Sequence, residues 1–164
     1  PYIPFLSVIA KDVLGGGATE FGFLSSAMGW GSIVGLLLLA FMGNRQHKGW
    51  IMLGCFLTYT TMLIGFSAST NLYLSLGILA TAGIFHSVAM VLNNTLIQLA
   101  VRNEMRGRVM AVWQMSQGLQ PLGSFPMGLF IAAVGPQLGI GTFMVTATAA
   151  FILVIALWGS VRRM

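Results

Sequence analysis

Three stretches without a charged side chain, residues 21–42, 49–101 and 109–161, take up most of the 164-residue chain. As a helix, the first would reach about 33 Å at 1.5 Å per residue, enough to cross a hydrocarbon core about 30 Å thick. Each of the other two is more than twice as long as one crossing needs. Only 7% of the residues are charged and 57% are hydrophobic, whereas soluble domains carry roughly 25% charged residues. So little polar surface cannot cover a globule in water, while a bilayer demands an apolar exterior and an internally satisfied backbone. The expectation is an all-α integral membrane protein.

Each long run is interrupted once, by SASTN at 67–71 and by GPQLG at 135–139. Such polar or glycine- and proline-rich segments are where a membrane helix can stop and turn. The count is then five complete transmembrane helices. Residues 1–10 are apolar but would span only about 15 Å, and they are expected to be the end of a sixth span. Residues 11–20 then form a loop containing Lys11, Asp12, three consecutive glycines and Glu20.

Seven of the eight basic residues fall in three clusters, Arg45 with Lys48, Arg102 with Arg106 and Arg108, and Arg162 with Arg163. These follow spans one, three and five, and the turns between carry no lysine or arginine. Alternation of this kind marks the cytoplasmic side. Burying each such charge would cost about 2.5–3.5 kcal/mol, and anionic lipid attracts them with about 1 kcal/mol apiece. The clusters therefore read as topology anchors of a multi-pass plasma (inner) membrane protein with a cytoplasmic carboxy terminus. Trp50, Trp113 and Trp158 lie close to the clusters and Tyr73 follows an outer turn, as interfacial belts require; Trp30 and Tyr59 fall mid-span as exceptions. The net charge of +5 does not indicate nucleic acid, because no aromatic-interleaved basic stripe is present to stack bases.

Polar side chains inside the spans mark faces turned away from lipid. Span one sets Gly22, Ser25, Gly29 and Ser32 along one stripe and Gly31 with Gly35 on roughly the opposite face, so that helices could approach it from two sides. Span three gathers His86, Ser87, Asn93, Asn94 and Gln98 within an arc of about 140°. His86 is the only ionisable side chain at mid-span depth, either a partner or proton carrier for transport or a neutral histidine bonded to a neighbouring helix. Span four aligns Gln114, Gln117, Pro121, Ser124 and Gly128, and its prolines free backbone carbonyls that a cavity could use. Spans two and five carry mainly threonines, which can bond back to their own helix, and read as peripheral. His86, Met90, Asn93, Gln114 and Gln117 are the expected wall of a substrate path, with Met90 supplying an adaptable thioether.

Enzymatic constellations are missing: the spans hold no aspartate or glutamate, and the chain has no HExxH and no GxxxxGK[ST] phosphate loop. An enzyme is not expected, nor a metal or cofactor. Cys55 has no second thiol to pair with and reads as a packing residue.

Several stretches resemble the carboxy-terminal half of a major facilitator superfamily transporter. PFLSVIAKDVLGGGATEFGFLSSAMGWGSIVG is similar to the family's seventh helix running into the eighth. GNRQHKG is similar to a weakened form of the basic loop between helices eight and nine. NNTLIQLAVRNEMRGRVMAVWQMSQGLQPLGSFPMG is similar to the tenth-to-eleventh helix region of the drug and siderophore exporters, which include macrolide efflux proteins and enterobactin exporters. The resemblance covers essentially residues 1–164 and implies one six-helix domain, truncated at its first helix, whose amino-terminal partner half is absent. It implies a secondary active exporter of small amphiphilic molecules, working by alternating access between two halves and proton-coupled. Helices eight, ten and eleven would flank the cavity, and nine and twelve would lie outside. Proton-coupled members commonly keep a carboxylate in amino-terminal helices, whereas Asp12, Glu20 and Glu104 all sit in loops here; the carrier is then His86 or, as favoured, a residue outside the chain. Arg45, Lys48, Arg102, Arg106 and Arg108 could also serve as a cytoplasmic gate. The alternative is a non-transporting membrane subunit whose small-residue faces hold partner helices.

Overall fold

The computed structural model describes residues 6–12, 15–43 and 47–157. Among them the chain is all helical: α1 (Leu6–Asp12), α2 (Ala18–Met42), α3 (Lys48–Ala68), α4 (Leu72–Ala100), α5 (Asn103–Gly118), α6 (Gln120–Val134) and α7 (Pro136–Leu157). Four of these, α2, α3, α4 and α7, are long and apolar enough to cross a membrane. Their ends follow local chemistry. Asn71 caps α4 by accepting from the Tyr73 and Leu74 backbone N–H groups at 2.9 and 3.4 Å. Gly43 and Gly135, at φ 62° and 88°, end α2 and α6 in backbone conformations that glycine adopts without strain. Pro136 opens α7, where its missing N–H costs nothing.

The expected fourth span is built from two helices, α5 of 16 residues and α6 of 15. Pro121 has no N–H to offer the Gln117 carbonyl four residues back, and its ring crowds that carbonyl. Leu119 instead donates to Ser116 and Gln117, which ends α5 and lets α6 begin one residue later.

Helix α4 sits between α2 and α3 and is the centre of the bundle. Close approach to α2 depends on missing side chains: a methyl group on Gly31 would collide with the Ala80 carbonyl, one on Gly35 with Ile84 and Ser87, and one on Gly83 with Met28. Ser32 uses the closeness to donate across the contact to the Gly83 carbonyl at 3.3 Å, while also bonding Met28 in its own helix at 3.0 Å. Of the other stripe, Ser32 therefore reaches α4, while Gly22, Ser25 and Gly29 have no helix against them among the described residues.

The order of these contacts gives directions. Gly31 meets Ala80 and Gly35 meets Ile84, so α2 and α4 run parallel. Ser75, at the start of α4, bonds Ser69, just past the end of α3, at 2.9 Å, while Tyr59 stacks on His86, which makes α3 antiparallel to α4. Gly141 abuts Ser67 while Phe151 stacks on Phe56, which makes α7 antiparallel to α3. Consequently the turns at 67–71 and 135 share one end of the bundle with the start of α2, and Lys48, Arg102, Arg106 and Arg108 share the other. The alternation of basic loops read from the sequence is thus built into the helix directions. Arg45, Arg162 and Arg163 lie outside the described residues.

A buried apolar cluster ties six helices together toward the less basic end: Leu6 and Ile9 of α1, Leu24 of α2, Leu63 and Phe66 of α3, Leu79 of α4, Met127 and Ile131 of α6, and Ile140 and Met144 of α7. Elsewhere the surface is apolar, with Phe41, Phe125 and Trp30 among the most exposed side chains, an exterior suited to lipid.

Candidate functional site

Beyond that cluster, toward the basic end, the helices part around a cavity of about 500 Å³. Leu63 and Met144 belong both to the buried cluster and to the cavity lining, so the cluster forms its floor. Helix α3 contributes Met52, Phe56, Tyr59 and Thr60, which recur at helical spacing on one face. From α4 come His86, Ala89, Met90 and Asn93 at the same i, i+3, i+4, i+7 spacing. Trp113 and Gln117, one turn apart on α5, and Phe143, Ala147 and Phe151 on α7 complete the wall.

Aromatic rings give the cavity its shape. Phe56 and Phe151 lie with centroids 5.0 Å apart at 33°, and Phe56 meets Tyr59 edge-on at 6.2 Å and 71°. Tyr59 in turn lies over the His86 imidazole, 4.9 Å away and tilted by 41°. Polar groups are few: the amides of Asn93 and Gln117, His86, the Tyr59 phenol and the Thr60 hydroxyl, the last already donating to Phe56 and Leu57 carbonyls at 3.2 and 3.0 Å. Among the described residues no lysine, arginine, aspartate or glutamate lines it, and no cluster of metal-binding side chains occurs.

Four of the five expected path residues, His86, Met90, Asn93 and Gln117, are brought together in this cavity, and Gln114 is not. Gln114 is exposed, three residues from Gln117 but turned off the face that Trp113 and Gln117 share. The polar arc of α4 is also divided: His86 and Asn93 look into the cavity, while Ser87 is buried beside Gly35 of α2 and bonds the Ile84 carbonyl at 3.0 Å. Asn94 keeps its side-chain oxygen buried without a partner among the described residues. Arg102, Arg106 and Arg108 are exposed and Lys48 half-buried, with no ion pair among the described residues.

Three departures from the sequence reading concern the wall. Spans two and five were expected at the periphery, and α3 and α7 instead supply most of the cavity's aromatic surface. Their threonines do bond back as expected, Thr58 to Gly54 and Thr61 to Leu57, Thr142 to Leu138 and Thr148 to Met144. Trp113, read as an interfacial anchor, is half-buried in the wall, whereas Trp50 and Tyr73 are exposed as belt residues should be. Tyr59, an exception to the belt, has its explanation in the His86 stack. The spacing of Met52, Phe56, Tyr59 and Leu63 was the signal that could have identified α3 as a wall, and a count of polar groups misses it.

Compared with known protein families, residues 2–163 match the family model of the Major Facilitator Superfamily. No curated protein and no solved structure matches the chain.

Proposed function

The chain belongs to the Major Facilitator Superfamily, a family of membrane transporters, and from that premise we propose that it works as a secondary active exporter of small amphiphilic molecules. It is an integral multi-pass membrane protein. In the proposed reading it is the carboxy-terminal six-helix half of the transporter, in the plasma (inner) membrane with its carboxy terminus cytoplasmic. A second half supplies the facing wall, and the two rock against each other around a mid-membrane site.

The observation that carries the substrate reading is the mid-span cavity, where the polar side chains of His86, Asn93 and Gln117 stand in a lining dominated by aromatic rings and methionines. Apolar walls with a few placed polar groups are the pattern of small-molecule sites, and Met90 with Met52 gives a lining that adapts to differently shaped guests. Gln114, beside Gln117 on α5 but turned off the cavity face, belongs to the path as a group met before or after the cavity. Exporter action resembling the drug and siderophore group, and coupling to protons through a carrier in the second half, complete the proposal. Arg45, Lys48, Arg102, Arg106 and Arg108 anchor the cytoplasmic side and serve as gate partners for acidic residues of the facing half.

The test is efflux of a panel of fluorescent amphiphiles from cells expressing the complete protein. Asn93→Ala and Gln117→Ala should each raise dye retention several-fold at unchanged expression, and Gln114→Ala should do so less. Retention equal to that of unmodified cells for every dye, with or without the substitutions, would remove the exporter reading in favour of a non-transporting subunit.

A further inference from the structure

The cavity's lining also says what kind of guest it takes. We propose that the pocket between α3, α4, α5 and α7 selects neutral molecules bearing a flat aromatic system and turns away ions of either sign; this rests on the proposed reading of the pocket as part of the substrate wall.

Charge is the first argument. An ion that leaves water for a low-dielectric site needs a counter-charge or several oriented hydrogen bonds to replace its hydration. Among the described residues the pocket offers no carboxylate, ammonium or guanidinium, and its polar surface is a small fraction of the lining. The described charged side chains, Lys11, Glu20, Lys48, Arg102, Glu104, Arg106 and Arg108, all lie at a cap, within the first two turns or in the last turn of a helix. Among the described lining residues the titratable side chains are those of His86 and Tyr59, whose rings lie against each other at 4.9 Å.

Aromatic faces can also hold cations, and the geometry argues against that use. The rings of Phe56 and Tyr59 are already engaged, Phe56 with Phe151 and Tyr59 with His86, so no open box of faces surrounds a point in the pocket. The shallow 33° tilt between Phe56 and Phe151 instead suits a third flat ring lying offset against them. The Asn93 amide presents a donor and an acceptor, a match for a neutral hydroxyl, ketone or amide on the guest. Helices α5 and α7 barely meet, and the gap between them gives such a molecule its way in.

One ring system carried in three charge states tests this. The probes are 9-anthracenemethanol, 9-anthracenecarboxylate and 9-anthracenylmethyl-trimethylammonium. They are titrated against the complete protein in detergent with Trp30→Phe, Trp50→Phe and Trp158→Phe, and with any tryptophan outside this chain also changed to Phe, so that Trp113 alone transfers energy to the ring. A Trp113→Phe version gives the background. The neutral probe should bind saturably, at least tenfold more tightly than either ion. Asn93→Asp, which adds the missing carboxylate, should reverse the order and favour the cation. Equal binding of the three probes, or an ion preferred over the alcohol, overturns the charge selection while leaving the site in place. A neutral preference that Asn93→Asp leaves untouched overturns it too, since the preference then arises elsewhere. Absence of saturable transfer for every probe in both proteins removes the site reading itself.

Discussion

Gly83 shows how much of this bundle depends on side chains that are not there. A methyl group on it would strike the Met28 carbonyl of α2, whereas one on Gly77, two turns earlier on the same helix, would meet nothing within 4 Å. Backbone cannot yield as a flexible side chain can, so overpacking here falls at or above the usual 1–3 kcal/mol. Gly83→Leu is therefore expected to cost about 3 kcal/mol or more and Gly77→Ala to be neutral or slightly stabilising, read as shifts in thermal unfolding of the complete protein in detergent. Equal shifts for the two would mean that α2 and α4 are not in backbone contact. The Gly31 and Gly35 face of this contact was legible in the sequence, because small residues four apart form a stripe whatever lies opposite. Which of α2's two small-residue stripes would be covered was not legible, since that depends on the neighbour's own small residue at Gly83. Similarly, polarity alone identified His86 and Asn93 but gave Ser87 the same weight. Only the position of α2 separates a serine that fills a helix contact from a histidine that faces a cavity.

At the scale of elements, the helices whose ends carry a chemical stop were read well: Asn71 before α4 and Gly135-Pro136 before α7 lie inside the two breaks taken from the sequence. The break between α5 and α6 was missed although Gly118, Gln120 and Pro121 surround it, because a membrane helix can also carry such residues through without stopping. Leu119 stays near helical dihedrals, φ −82° and ψ −3°, and no polar residue is needed when the chain barely departs from the helix. Prolines in a span announce freed carbonyls but not whether the helix bends through them or stops. If Pro121 causes the stop, Pro121→Ala restores the missing N–H and should fuse α5 and α6 into one straighter helix. Spin labels at Met105→Cys and Leu129→Cys, both exposed positions, in a background with Cys55 and any cysteine outside this chain replaced by alanine, should then move apart with a narrower distance distribution. An unchanged distribution would place the cause of the break in the contacts of α6 with α7. Because Trp113 and Gln117 ride on α5 and Met127 with Ile131 is held in the buried cluster through α6, the same substitution should shift one wall of the cavity relative to its floor.

For the molecule as a whole, the sequence supplied the four crossings made by single helices and the alternation of turns between two ends of the bundle, but not which spans close upon which. The rule that basic loops stay cytoplasmic acts on each loop separately, whereas the return of α7 onto α3 depends on side chains far apart in the chain. That return decides the cavity, since it brings Phe143 and Phe151 to the rings of α3. Its signature is the approach of Gly141 to Ser67: a Cβ built on the glycine lies 3.7 Å from the serine's Cβ, within the roughly 3.5–4.5 Å that a disulfide spans. With Cys55 and any cysteine outside this chain replaced by alanine, Ser67→Cys with Gly141→Cys should therefore oxidise readily within one chain, seen as loss of both free thiols in intact mass. The pair Ser67→Cys with Met105→Cys, which lie at opposite ends of the bundle, should stay reduced. Sidedness follows from the same arrangement. A cysteine at Thr70 should react with a membrane-impermeant maleimide added outside intact cells, and one at Met105 only after the membrane is opened, because α4 carries the chain from one end of the bundle to the other between them. Reaction of both from outside would contradict the crossing by α4. A failed cross-link with correct sidedness would leave the crossings intact but detach α7 from α3, and the cavity with its aromatic wall would go with it.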